Sequence, residues 1–141
     1  MDLKQMYREI VNEHNLHPTH KHELAEPTQM LRGVNPSCGD DITLQLKVEN
    51  GIITDGSYVG QGCAISQASA DMMLDLVIGQ TTDEAERLAD IFLRMIKGEA
   101  TDEEIETLDE AAALQDISHM PARVKCAQLG WRTIDEMIKE N

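Results

Sequence analysis

Along the opening of the chain, Leu3, Met6, Tyr7, Ile10 and Val11 recur at helical spacing, which predicts a first helix of about three turns. From His14 to Pro36 that periodicity fails, and Pro18, Pro27, Gly33 and Pro36 predict an irregular connection. Ile42, Leu44, Leu46 and Val48 then alternate with polar residues, the pattern of a half-buried strand. Asn50-Gly51 follows, a strong hairpin signal because a type I′ turn needs positive φ at both central positions. A second strand is expected from Ile52 to about Val59.

Beyond Gly60-Gln61-Gly62-Cys63 the period changes from two to that of a helix. One helix carries Ile65, Ala68, Met72 and Leu76 on one face, with Gly79 as its stop. Thr81 and Glu84 fit a capping box for the next, whose face is Ala85, Leu88, Ala89, Phe92 and Ile96 and whose end is Gly98. Thr101 and Glu104 repeat that signal before a helix with Ile105, Leu108 and Ala112 facing inward. Pro121 suits the first turn of a last helix with Val124, Ala127, Trp131, Ile134 and Ile138 on its face. A hairpin among several helices describes an α+β domain, with helices packed on one side of the sheet.

Composition narrows the function classes. The 141 residues suit a single domain, 1–141, long enough to build a core without disulfides. Aromatics are 3%, so Leu, Ile, Val, Met and Ala must fill that core. Twelve basic against 26 acidic residues give a net charge of −14, which repels phosphate backbones and argues against nucleic acid as a partner. No apolar run approaches the roughly 18 residues of a membrane span, and the start lacks the basic-then-apolar order of a signal peptide. A cytoplasmic protein is expected. Between Lys97 and Arg123 there is no Lys or Arg, while eight acidic residues fall from Glu99 to Asp116. An acidic, solvated helical insertion over about 98–120 is expected there.

Three cysteines cannot all pair within one chain, and in a reducing cytosol they point to metal, catalysis or plain burial. Cys38 stands in Asn35-Pro36-Ser37-Cys38-Gly39-Asp40, where Gly39 permits a bend that lets thiol and carboxylate converge. Cys63 follows two glycines at a helix start, where free amides stabilise a thiolate. Cys126 lies one turn inside the last helix, beside Lys125 and near Arg123, an electropositive setting. Three such thiols and one carboxylate complete a tetrahedral zinc set. Three buried, inert cysteines remain the alternative, since the spacing contains no CxxC pair. His14, His17, His20 and His22 form a looser cluster, read as a metal site or as a solvated loop. Gly60-x-Gly62 lacks the Gly-Lys-Ser/Thr of a phosphate loop.

Asn-Pro-Ser-Cys-Gly-Asp at 35–40, Gly-Gln-Gly-Cys-Ala-Ile-Ser-Gln-Ala-Ser at 60–69 and Arg-Val-Lys-Cys-Ala-Gln-Leu at 123–129 resemble the NifU/IscU/SufU family of iron–sulfur cluster assembly proteins. The resemblance spans nearly the whole chain. It implies a SufE/NifU-like α+β fold with about three antiparallel strands, the additional one preceding Cys38. It also implies one metal centre with Cys38, Asp40, Cys63 and Cys126 as ligands. Lys125 stands where IscU-type members usually have histidine, and His-Met-Pro-Ala-Arg-Val-Lys at 119–125 replaces their Leu-Pro-Pro-Val-Lys. With the acidic segment, these features resemble the zinc-binding SufU-type branch. That branch implies a sulfur acceptor working with a pyridoxal-phosphate cysteine desulfurase of the SufS type. Cys38 would take the sulfur, Arg123 and Lys125 would offset charge, and a downstream scaffold or apo-proteins would receive the product. The alternative is a scaffold for a transient [2Fe–2S] cluster. Pro18-Thr19-His20 stands where the family often has Pro-Arg-Asn.

Overall fold

The structure, a computed structural model, describes residues 2–140 apart from the side chain of Leu3, so the expected place of Leu3 on the first helix face lies outside the described residues. Helix α1 (Leu3–Leu16) is followed by strands β1 (Gln29–Asn35), β2 (Asp40–Glu49) and β3 (Ile52–Gln61). Helices α2 (Ala64–Val77), α3 (Thr82–Ile96) and α4 (Asp102–Glu106) come next, then a run of 3-10 turns (Asp109–His119) and helix α5 (Pro121–Lys139). The sheet is antiparallel in the order β1-β2-β3. Asn50 and Gly51 turn the hairpin with φ of 53° and 76°, the mirror-image geometry that the dipeptide favours.

Register explains which face is the core. Leu44 stands between Leu31 and Tyr58, Leu46 pairs with Gly56, and Ile42 lies beside Gly33. Ile42, Leu44, Leu46 and Ile53 are fully buried beneath α2 and α5. A Cβ on Gly56 would meet Leu74 of α2 at 2.9 Å, and one on Gly33 would meet Thr133 Oγ1 of α5 at 2.3 Å. Residues 20–22 run along the edge of β3, where Tyr58 N donates to the carbonyl of His20 at 2.9 Å. Residues 23 and 24 reach Gln45, which accepts from Leu24 N at 2.8 Å and donates to Glu23 at 2.9 Å.

The helices behave largely as their patterns require. Phe92 of α3 stacks on Trp131 of α5 at 4.3 Å between ring centroids, and both are fully buried. The Trp131 indole N–H donates to Ser69 Oγ, which donates to the carbonyl of Ala127, so the one indole in the core is satisfied. Gly79 and Gly98 end α2 and α3 at positive φ.

Three expectations need correction. The first helix runs on to Leu16 and takes in His14, which is buried one turn beyond Val11. A polar residue at a core position is invisible to an apolar pattern. The irregular connection also contains β1, and Gly33 lies inside it as the point where strand and helix approach, not as a loop breaker. Finally, the Thr101–Glu104 capping box forms as expected, but α4 stops at Glu106. Leu108, Ala111, Leu114 and Ile117 are then fully buried at a spacing of three, the 3-10 period. Asp109, at φ 49°, makes the break. The acidic segment is therefore solvated on one side only, and Ala112 is half-buried.

Candidate metal centre

Strand alternation places the carboxylate. Asp40 is two residues before Ile42, so it belongs to the same inward column, and its side chain is fully buried at the end of the sheet. The partner across the ladder is Asn35, also buried. Residues 36–39 close the β1–β2 turn, with Gly39 at φ 70°. Cys38, on that turn, is exposed.

Cys63 is the N-cap of α2, extended at φ −72° and ψ 166°, with its sulfur accepting from Ser66 N at 3.5 Å. A cap sulfur at a helix N-terminus sits among unpaired amides. Cys126, in the second turn of α5, is fully buried. Its Sγ lies 3.1 Å from Cys38 Sγ and 3.7 Å from the Asn35 side-chain nitrogen.

Asp40 is the hub. Oδ1 accepts from Cys63 N at 2.8 Å and Ser66 Oγ at 3.1 Å, while Oδ2 accepts from Asn35 Nδ2 at 3.1 Å. A carboxylate offers about four acceptor directions, so these donors orient it and leave room for one further bond. Gly62 makes the approach possible, since a Cβ there would meet Ser66 Oγ at 2.5 Å and Asp40 Oδ1 at 2.7 Å.

The donor atoms of Cys38, Asp40 and Cys126 lie within 4.8 Å of one another, close enough to share one ion. Cys63 stands just outside that group, though near enough to act on Cys126. Burial, with Cys38, Cys63 and Asp40 alongside, pushes the Cys126 thiol far above its ordinary range. A divalent cation reverses that balance, because a coordinating thiol loses its proton outright. Two sulfurs and an oriented carboxylate, with a third thiol beside them, are the chemistry that zinc accepts.

The two cations expected nearby are both exposed. Lys125 lines a small cleft with Val34, Asn35, Gln128, Leu129 and Arg132. Arg123 lies near Tyr7 of α1, where burial raises the phenol, the Arg123 charge opposes this, and the Cys63 charge adds to it. Among the described residues no group of three metal-type donors contains two of the histidines. His14 and His20 bind different aspartates of α2, and His22 contacts the carbonyl of Glu23. Asn35 and Ser66 are the site residues that sequence reasoning missed. Asn35 opens the Asn-Pro-Ser-Cys-Gly-Asp motif, and Ser66 lies three residues beyond the cap cysteine, the position a cap contacts.

This centre lies on a chain whose residues 6–127 match the NifU-like N-terminal domain family. The chain belongs to that family. The iron–sulfur cluster assembly scaffold protein IscU of Thermotoga maritima is 40% identical over 140 residues, 99% of this chain and 97% of that protein. The zinc-dependent sulfurtransferase SufU of Bacillus subtilis is 36% identical over 137 residues, 97% of this chain and 92% of that protein. A SUF-system protein from Fervidobacterium islandicum AW-1 has the same fold, with a TM-score of 0.88 and 30% identity over 95% of this chain and 97% of that one. The three-stranded antiparallel sheet with its helices is thus the family's fold.

Proposed function

We propose that this protein acts in iron–sulfur cluster assembly as a zinc-dependent sulfur acceptor, with Cys38 taking sulfur from a pyridoxal-phosphate cysteine desulfurase of the SufS type. The carrying observation is the contrast among the three thiols: Cys38 is exposed on a glycine turn, Cys63 is half-buried at a cap, and Cys126 is fully buried in a helix. Of the three, Cys38 is the most accessible to a sulfur carried by another protein. Cys38, Asp40, Cys63 and Cys126 hold the zinc in this reading. Bound zinc keeps the thiols deprotonated at neutral pH and ties the β1–β2 turn to α2 and α5.

The Cys38 thiolate attacks the outer sulfur of the desulfurase persulfide. The sulfur–sulfur bond breaks, the desulfurase cysteine leaves as a thiolate, and Cys38 carries the new persulfide, with no external oxidant or reductant. Asp40 stays in place through its three donors, so the turn can move while the carboxylate does not. Arg123 and Lys125 offset the two excess negative charges of three thiolates and one carboxylate on a dication. The acidic stretch of residues 98–120 is read as an insertion characteristic of the zinc-binding branch. No helix among the described residues is long and apolar enough to cross a membrane, in keeping with a cytoplasmic place of work.

A second reading is favoured by the Thermotoga maritima relative, which is named a scaffold. The same four residues are a ligand set for a [2Fe–2S] cluster, assembled here and passed to apo-proteins. A desulfurase turnover assay with added zinc-loaded or iron-loaded protein separates the two. Zinc protein should accelerate the desulfurase, Cys38→Ala should abolish the stimulation, and peptide mass mapping after one turnover should find the persulfide on Cys38. If zinc protein has no effect and iron-loaded protein passes a coloured cluster to apo-ferredoxin, the acceptor reading fails.

A further inference from the structure

A second group of metal-type donors lies away from the cysteines. His14 of α1, Asp75 of α2 and Glu110 of the 3-10 run each point one ligand atom into a common space, and those atoms lie within 4.8 Å of one another. The imidazole is held as metal-bound imidazoles are held. Its Nδ1 is 2.7 Å from Oδ2 of Asp71, a fully buried carboxylate that also accepts from His20 N at 2.8 Å and Thr19 N at 3.4 Å. Pairing one ring nitrogen with a fixed carboxylate directs the other outward. That other nitrogen, Nε2, lies 3.3 Å from Glu110 Oε1. Asp75 is fixed in turn by His20 Nε2, 2.7 Å from its Oδ1. Asp75 and Glu110 border a cleft of about 130 Å³ whose other walls include Met72, Leu76 and Leu108, so the space is partly apolar.

We propose that His14 Nε2, Asp75 and Glu110 form a second cation site, independent of the cysteine centre and suited to a divalent first-row metal of the zinc class. An imidazole with two carboxylates favours such an ion over calcium or magnesium, which prefer all-oxygen shells. The ion binds the lone pair of Nε2, and its two charges meet the two carboxylates that converge there. Its consequence is mechanical. It fastens the acidic 3-10 run to α1 and α2, three elements that no covalent link holds together at this point.

Zinc alone is the probe, counted per chain after equilibrium dialysis of the full-length protein. Wild type should take up one zinc more than Asp75→Asn/Glu110→Gln, or bind that last zinc at least about tenfold more tightly. Both replaced side chains are exposed, 43% and 57%, so the fold should survive the change. The last equivalent should shift the His14 ring signals in NMR spectra. A His17→Gln/His22→Gln protein should bind as wild type does. Equal uptake and affinity in the Asp75/Glu110 variant overturn the site, as do His14 ring signals that stay fixed. Loss of the extra zinc in the His17/His22 variant also overturns it, because the metal would then belong to the loop.

Discussion

Two aspartates in this protein are completely buried, and they are buried in opposite ways. Asp71, in the middle of α2, meets an imidazole and two backbone amides. Burial lowers the basicity of His14, but hydrogen bonds to Asp71 and Glu110 outweigh it and the pKa is raised. Asp40, at the end of β2, meets an amide, a hydroxyl and a carboxamide, all neutral, and no ion pair reaches it among the described residues. Two thiols stand within 4.8 Å of it. Burying a carboxylate without a counter-charge is costly. A cation supplied from outside, as in the proposed function, would relieve this cost.

Removing each carboxylate from protein stripped of metal tests this most strongly. Asp71→Ala strands a ring nitrogen of His14 and two amides, and should cost about 3 kcal/mol in urea melts. Asp40→Ala should cost clearly less, because the Ser66 hydroxyl and the Asn35 carboxamide keep other partners, the Cys63 carbonyl and the Cys126 sulfur. Equal losses would erase the distinction between the two sites.

Zinc sharpens the contrast from the other side. At a free concentration 100 times its dissociation constant, zinc should stabilise wild type by about 2.7 kcal/mol. Asp40→Asn should lose most of that gain while changing the metal-free melting curve by less than about 1 kcal/mol. A variant that binds zinc as well as wild type would remove Asp40 from the ligand set.

The smallest effect concerns the exposed cations. Lys125→Glu should weaken zinc binding by a few-fold at low salt and by less as salt screens it. A charge reversal at Lys139, whose ammonium pairs with Asp135 at 2.9 Å, serves as the control. Equal changes from both would leave Lys125 with no part at the centre.

Much of the fold was legible because its signals are local. The Ile42–Val48 alternation, the Asn50-Gly51 turn and the glycine stops of α2 and α3 each depend on a few neighbouring residues. Strand β1 was readable only through the family resemblance, because its inward positions are Gln29, Leu31, Gly33 and Asn35. Just one of these is a large apolar residue. Gly33 and Asn35 face inward for partners far along the chain, Thr133 and Cys126, and Asn35 also for its ladder partner Asp40. The 3-10 run was misread as a helix because Ile105, Leu108 and Ala112 fit the helical period, whereas Leu108, Ala111, Leu114 and Ile117 fit a period of three.

At the candidate centre the sequence by itself determined the kinds of atom available: three thiols, one carboxylate, and glycines at the bends beside them. It also determined that Asp40 faces the core, because side chains alternate along a strand and Ile42 must be inside. Tertiary structure alone decided that the sulfurs of Cys38 and Cys126, 88 residues apart, lie 3.1 Å from each other, and that Cys38 is the exposed one. It alone set an imidazole against Asp71 and an amide, a hydroxyl and a carboxamide against Asp40. Local pattern reports what each residue prefers to bury. Charge balance at a buried point is a sum over elements that meet only when the sheet and its helices close, so it cannot be read from any one segment.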